Sequence, residues 1–306
     1  MDERAAGAMV FLSRDLDRAS LNRAVRDGSL ERLRRGAYGR RIDAEDRYTR
    51  ERIRARQHMN ALARQLAGPF WFSHSSAAVL HDLPLIRPLT STHLTQIQRP
   101  SGRADPTITR HTRTIGSGDT AVVDALPVTS LARTTLDCAM TMPDLDALTV
   151  LDRALAAPGL AEDLEEELAK LHGTTGSARA RWCLERADAR AESPGETATR
   201  FTLLRHGLRV PALQIPVHTR HGKYRIDLGW PDLKIGIEFD GKVKYTRMAA
   251  GDPAEVVFRE KRRQDHLERE GWVIIRVVWA DLYRPGEFIA EVLRRLDERT
   301  TGLFIA

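Results

Sequence analysis

Lys223-Tyr224-Arg225-Ile226-Asp227-Leu228-Gly229-Trp230-Pro231-Asp232-Leu233-Lys234-Ile235-Gly236-Ile237-Glu238-Phe239-Asp240-Gly241-Lys242 reads as two short strands and a turn. In the second strand the two-residue period sends Ile235, Ile237 and Phe239 to one face and Glu238 and Asp240 to the other. A two-residue turn at Asp232-Leu233 sets Pro231 opposite Lys234 and Asp227 opposite Glu238, so three carboxylates are expected to converge. Like charges facing each other across strands cost up to about 1 kcal/mol, and a divalent cation relieves this. A few hard oxygen ligands, with water and phosphate in the other positions, describe a magnesium site of phosphodiester chemistry.

Working outward, the lysines gather around this stretch. Of 48 basic residues only Lys170, Lys223, Lys234, Lys242, Lys244 and Lys261 are lysine, and five of them lie between 223 and 261. A lysine ammonium, unlike the arginine fork, is readily tuned by burial. Lys242 or Lys244 is therefore expected to orient a water or to stabilise developing charge.

The full length of 306 residues suits two or three domains. A net charge of +6 favours an acidic partner, nucleic acid above all. Cys138 and Cys183 make neither a disulfide scaffold nor a zinc knuckle. The ten histidines lack metalloprotease spacing, and zinc is not expected. No signal-peptide run and no apolar stretch of about 18 residues is found, so a cytoplasmic protein without a membrane partner is expected.

Near the N-terminus, Ser20 reads as an N-cap, Leu21, Ala24 and Val25 as a helical face, and Gly28 as a C-cap. A strand pair follows over Leu30–Tyr38. This is the layout of a winged helix-turn-helix, with helix 20–27 in the major groove and the Arg32–Gly36 wing on phosphates. Arg23, Arg26, Arg34 and Arg35 are its expected DNA contacts. Residues 43–66 read as a charged connecting helix with Tyr48, Ile53, His58 and Leu62 on its apolar stripe.

From Pro69 to Ala157 short apolar runs alternate with helical stretches, as in a mixed α/β domain. Ser73-His74-Ser75-Ser76 reads as a helix N-cap rather than a nucleophile with its base. Arg133 and Asp137 read as an i, i+4 pair. The pattern is helical from Pro143 to Glu192. The expected divisions are a winged-helix module over 1–58, a mixed α/β domain over 59–160, a helical linker over 161–190 and an α/β core over 191–306. Ser193-Pro194-Gly195-Glu196 forms a capping box at the start of that core.

The order Ser193-x-x-Glu196, Asp227, Glu238-x-Asp240-Gly241, Glu260-Lys261-x-Arg263-x-Asp265-x-Leu267, Gly271 and Val273-Ile274-Ile275-Arg276 resembles the very-short-patch-repair-type domain of the PD-(D/E)XK nuclease superfamily, over about residues 190–285. The resemblance implies a restriction-endonuclease-like α/β core, Mg2+ (or Mn2+) dependence and DNA phosphodiester cleavage. It puts Asp227 and Glu238 on the metal, with Asp240 beside them, and makes Glu196 an accessory acid. The usual lysine of Glu-x-Lys is replaced by Asp240. Either Lys242 or Lys244 supplies the ammonium, or the site binds without cutting.

Residues 1 to about 160 are similar in pattern to AbiEi-type antitoxins, through Gly28-Ser29-Leu30-x-Arg32-Leu33-x-x-Gly36-Ala37-Tyr38 and Arg133-Thr134-Thr135-Leu136-Asp137. That likeness implies promoter binding and a toxin partner. The expected function is a metal-dependent DNA endonuclease with an N-terminal DNA-binding module, in phage defence or repair. The alternative is a non-catalytic DNA-binding regulator of antitoxin type. The sequence leaves the oligomeric state open.

Overall fold

A computed structural model describes residues 2–98, 105–171, 173–241 and 253–303, and its backbone divides into two compact units, Met1–Ala187 and Asp188–Ala306. The chain is a mixed α/β protein of more than one domain, with three sheets and twelve α-helices among the described residues. None of these helices is long and apolar enough to cross a membrane.

The first unit opens with α1 (Glu3–Ala8), β1 (Val10–Leu12), α2 (Arg18–Arg26), β2 (Leu30–Arg34), β3 (Ala37–Arg40) and α3 (Arg47–Ala63). The strands form a sheet of order β1-β3-β2. Helix α2 starts two residues before the expected one. Asp17 is its N-cap, because the Asp17 carboxylate accepts the Ser20 amide at 2.9 Å. The helix ends before Gly28, whose φ of +77° suits the residue after a C-cap.

Helix α3 departs from its expected face. Ile53 and Leu62 are buried, but Tyr48 is exposed and Arg52 and Arg56 lie inside. Arg56 is only 1% exposed. Its guanidinium meets Asp124 Oδ2 at 2.5 Å, Asp82 Oδ1 at 2.6 Å and the Val79 carbonyl at 2.7 Å. Its Nε is buried without a hydrogen-bond partner, but a buried cation is tolerated when it is paired, so α3 is a packing element rather than a spacer. The division expected at 58/59 falls inside it.

Next come β4 (Trp71–Phe72), α4 (His74–Leu80), β5 (Thr92–Gln96), β6 (Ile108–Thr112), β7 (Thr120–Val123) and β8 (Leu126–Thr129), in a sheet of order β6-β5-β4-β8-β7. Four helices follow: α5 (Leu131–Thr141), α6 (Asp144–Ala154), α7 (Leu160–Lys170) and α8 (Ser177–Leu184). Ser130 caps α5, and Arg133 Nε meets Asp137 Oδ1 at 3.1 Å, the expected pair. Residues 161–190, read as a linker, carry most of α7 and all of α8. Leu160, Leu164 and Leu168 recur every four residues and are buried, which anchors α7 within the unit.

The second unit runs α9 (Pro194–Arg205), β9 (Ala212–Thr219), β10 (Gly222–Trp230), β11 (Ile235–Phe239), α10 (Pro253–Arg269), β12 (Val273–Val277), α11 (Trp279–Tyr283) and α12 (Gly286–Leu303). Its sheet has the order β12-β11-β10-β9, antiparallel except for the β11/β12 pair. The β10/β11 register pairs Leu228 with Ile237 and Trp230 with Ile235, as expected. The turn is longer than expected: Pro231–Leu233 forms a 3-10 turn and Lys234 takes φ +50°. Both turns are centred between Asp232 and Leu233, so the register is unchanged.

Leu203, Leu228, Ile235, Ile237, Val277 and Val292 form one buried cluster, joining the sheet to α9 and α12. Ile215, Val217, Ile226, Leu267 and Trp272 form another, toward α10. Leu213 and Leu228 belong to the first cluster while Ile215 and Ile226 belong to the second. The change of side falls at Gln214, with φ +53°, and at Asp227.

Candidate active site

Helix α9 brings the first acid to this switch. Ser193 Oγ accepts the Glu196 amide at 3.2 Å and donates to Glu196 Oε1 at 2.8 Å. Glu196 Oε2 accepts the Glu192 amide at 2.9 Å and Gln214 Nε2 at 2.7 Å. Burial, helped by the charges of Asp227 and Glu192, raises the Glu196 pKa, against the lowering effect of the Glu192 and Ser193 hydrogen bonds. The first turn of α9 lies directly on the Phe239 ring, since a Cβ on Gly195 would come within 2.1 Å of it. Only glycine allows that approach.

Continuing the two registers outward puts Gln214, Asp227, Glu238 and Arg276 at one level of the sheet, one on each strand. The paired positions of β10 and β11 end at Leu228 and Ile237. Beyond them Asp227 Oδ2 accepts the Phe239 amide at 3.0 Å. Glu238 is turned toward α10, where Arg263 Nη1 and Nη2 reach its two oxygens at 2.8 and 2.6 Å. Arg263 also donates to the Arg225 carbonyl at 2.9 Å. Burial alone would lower the Arg263 pKa, and the carboxylates of Glu238, Glu260 and Asp227 reverse this, so it is raised. Glu260 accepts Arg276 Nη2 at 2.6 Å.

The expected convergence of three carboxylates is therefore replaced by two linked groups. Asp227 lies within electrostatic reach of both Glu196 and Arg263, while Glu238 is held by Arg263. Asp227, Glu238 and Asp240 do not bring one oxygen each within 4.8 Å of one another. The physical reason is the guanidinium, which offers Glu238 a fixed partner. The Asp240 amide donates to the Val277 carbonyl at 2.9 Å. Lys242 and Lys244 lie outside the described residues.

As a donor set, Asp227 and Glu238 still fit magnesium, which commonly takes one or two carboxylates and keeps its waters. An oxygen that accepts from Arg263 retains a second lone pair. Sequence reasoning missed Gln214 and the pairing of Arg263 with Glu238. The β9/β10 hairpin register was the available signal for Gln214, because it leads from the Thr219/Gly222 pair to Asp227.

In the first unit Arg23, Arg26 and Arg35 are exposed. Arg34 Nη2 meets Asp105 Oδ2 at 2.7 Å.

No protein-family model matches the chain. It is similar to two uncharacterized proteins of Mycobacterium tuberculosis, MT2308 of strain CDC 1551 and Rv2248 of strain H37Rv, at 36% identity over 172 residues in each case. The match takes in 55% of this chain and spans 61% of the length of each relative. Among solved structures, the crystal structure of RV2827C protein from Mycobacterium tuberculosis is similar at 16% identity, with a TM-score of 0.37. That similarity covers 70% of this chain and 86% of that one.

Proposed function

We propose that the chain is a magnesium-dependent DNA endonuclease, with a restriction-endonuclease-like core in the second unit and a DNA-binding winged helix-turn-helix near the N-terminus. The observation that carries the reading is Asp227 at the level of Glu238 on the neighbouring strand, with the buried Glu196 beside them. The element order helix, three antiparallel strands, helix, parallel strand supports the core assignment. Exposed Arg23 and Arg26 on a helix ahead of the β2/β3 hairpin support the DNA-binding module. Asp227 and Glu238 would hold the ion, and Glu196 would act as the accessory acid. A bound magnesium ion supplies charge that polarises a phosphate and lowers the pKa of its water.

A specific observation favours a second reading, a DNA-binding regulator of antitoxin type that does not cut. Arg263 already neutralises Glu238, and aspartate stands at position 240. The deciding experiment is nicking of supercoiled plasmid with Mg2+ or Mn2+, beside Asp227→Ala and Glu238→Ala. Cleavage lost in both variants supports the nuclease. An inert wild type with either metal transfers the weight to the regulator.

A further inference from the structure

We propose that His74, His93 and His111 form a binding site for a first-row transition-metal ion of the Zn2+ type, independent of the acids of the second unit. Among the described residues these three are the only His, Cys, Asp or Glu group of three or more whose ligand atoms all lie within 4.8 Å of one another. The fold explains the meeting of residues so far apart in sequence. β5 and β6 are parallel with His93 opposite Thr109 and Thr95 opposite His111, so the two histidines are diagonal neighbours on one face. His74 opens α4, directly after β4, which pairs with β5. The Ser73 amide donates to the His93 carbonyl at 3.2 Å and the His93 amide to Ser76 Oγ at 2.8 Å, fixing the start of α4 on β5.

The chemistry of the ring nitrogens points to a cation. His74 is 1% exposed and its Nδ1 meets Ser73 Oγ at 3.0 Å, while its buried Nε2 has no hydrogen-bond partner. Asp137 Oδ2, also buried without a hydrogen-bond partner, stands 4.0 Å from Nδ1. The Ser73 hydroxyl holds one ring nitrogen and leaves the other, buried Nε2 bare for a cation, with the Asp137 carboxylate near enough to add negative charge without a hydrogen bond. His93 Nδ1 and His111 Nε2 share a hydrogen bond at 3.1 Å; an ion would replace its proton, which moves to the other nitrogen of that ring, and the spacing is close to the edge of roughly 3.3 Å expected for a tetrahedron of Zn–N bonds near 2.0 Å. The His74 and His111 rings are stacked, with centroids 3.6 Å apart and planes 13° apart. One ion cannot lie in both ring planes, so binding requires the half-buried His111 ring to turn.

The test uses the full chain, stripped with chelator and titrated with Zn2+ against a chromophoric competitor, with Co2+ absorption reporting the ligand field. The expected result is one Zn2+ per chain and a tetrahedral Co2+ spectrum. His93→Ala and His111→Phe should each weaken Zn2+ by more than the roughly 10–100-fold that loss of an outer partner costs. His111→Phe keeps a ring in the stack, and near-UV circular dichroism confirms that it folds. Binding should survive Asp227→Ala, which separates this site from the acids. It should also survive His221→Ala, which breaks the His221/His266 stack elsewhere on the chain. No stoichiometric binding by the wild type, unaltered affinity in folded His111→Phe, or loss of binding in His221→Ala would each overturn the proposal.

Discussion

Arg263 holds Glu238 with both ends of its guanidinium, Nη1 to Oε2 at 2.8 Å and Nη2 to Oε1 at 2.6 Å, across 25 residues of sequence. The Glu238 side chain is only 12% exposed, and the fork is its partner there. Arg263→Ala leaves the carboxylate without its cation and should cost roughly 1–3 kcal/mol. Arg263→Lys should recover only part, since an ammonium cannot reproduce the two parallel bonds. Urea denaturation near neutral pH measures both, and an alanine variant as stable as wild type would remove the fork from the fold's support. On the nuclease reading the guanidinium also competes with a divalent ion for Glu238. Arg263→Ala should then bind Mg2+ more tightly in calorimetry, and unchanged or weaker binding would separate Arg263 from the ion's site.

The sequence carried the local geometry well and the long-range partners poorly. The β10/β11 register is legible because Pro231 and the polar Asp232 mark the turn, and both possible turn lengths share one centre. The Ser193/Glu196 cap and the Arg133–Asp137 pair are legible because their partners lie within one helical turn. The buried faces of α3 are not, since periodicity assigns arginine to solvent. Arg56 goes inside only because Asp82, Asp124 and the Val79 carbonyl are brought to it by distant segments. Ser73 is the N-cap residue of α4, as expected, but its hydroxyl turns to the His74 ring and leaves the first turn without a side-chain cap bond. His93 and His111 meet through a parallel pairing that no spacing of histidines along the chain reveals.

Asp146, which belongs to neither candidate site, offers a measurement of burial against pairing. It is 3% exposed on α6, and Arg87 Nη2 lies 3.0 Å from its Oδ2. Burial raises the Asp146 pKa, and the largely exposed Arg87 only partly opposes this. A carboxyl with a raised native pKa holds its proton more tightly in the folded chain. Stability therefore falls as pH rises from the unfolded value near 4 through the native value, and the loss is complete above it. Asp146→Asn removes that charge. The variant should be the more stable at pH 7, with the difference closing toward about pH 4. Urea midpoints across that range give the answer, and a difference that is flat or widens in acid contradicts the burial argument.

The arginines of the first unit divide by what already occupies them. Arg23 and Arg26 lie exposed on α2, whereas Arg34 spends its guanidinium on Asp105 at 2.7 Å. DNA binding through phosphates releases condensed counterions, and each lost contact flattens the log–log salt dependence by about 0.9 for duplex DNA. Arg23→Ala and Arg26→Ala should each reduce the slope by about that amount, uniformly across sequences if the contact is to phosphate. Arg34→Ala should leave the slope unchanged, and its partly exposed ion pair should cost at most about 1 kcal/mol of stability. Fluorescence anisotropy on a labelled duplex from low to moderate salt reads all three. A slope unmoved by Arg23→Ala and Arg26→Ala takes α2 off the DNA. A slope flattened by Arg34→Ala would instead mean that DNA draws this arginine away from Asp105, putting the β2/β3 hairpin on the phosphates.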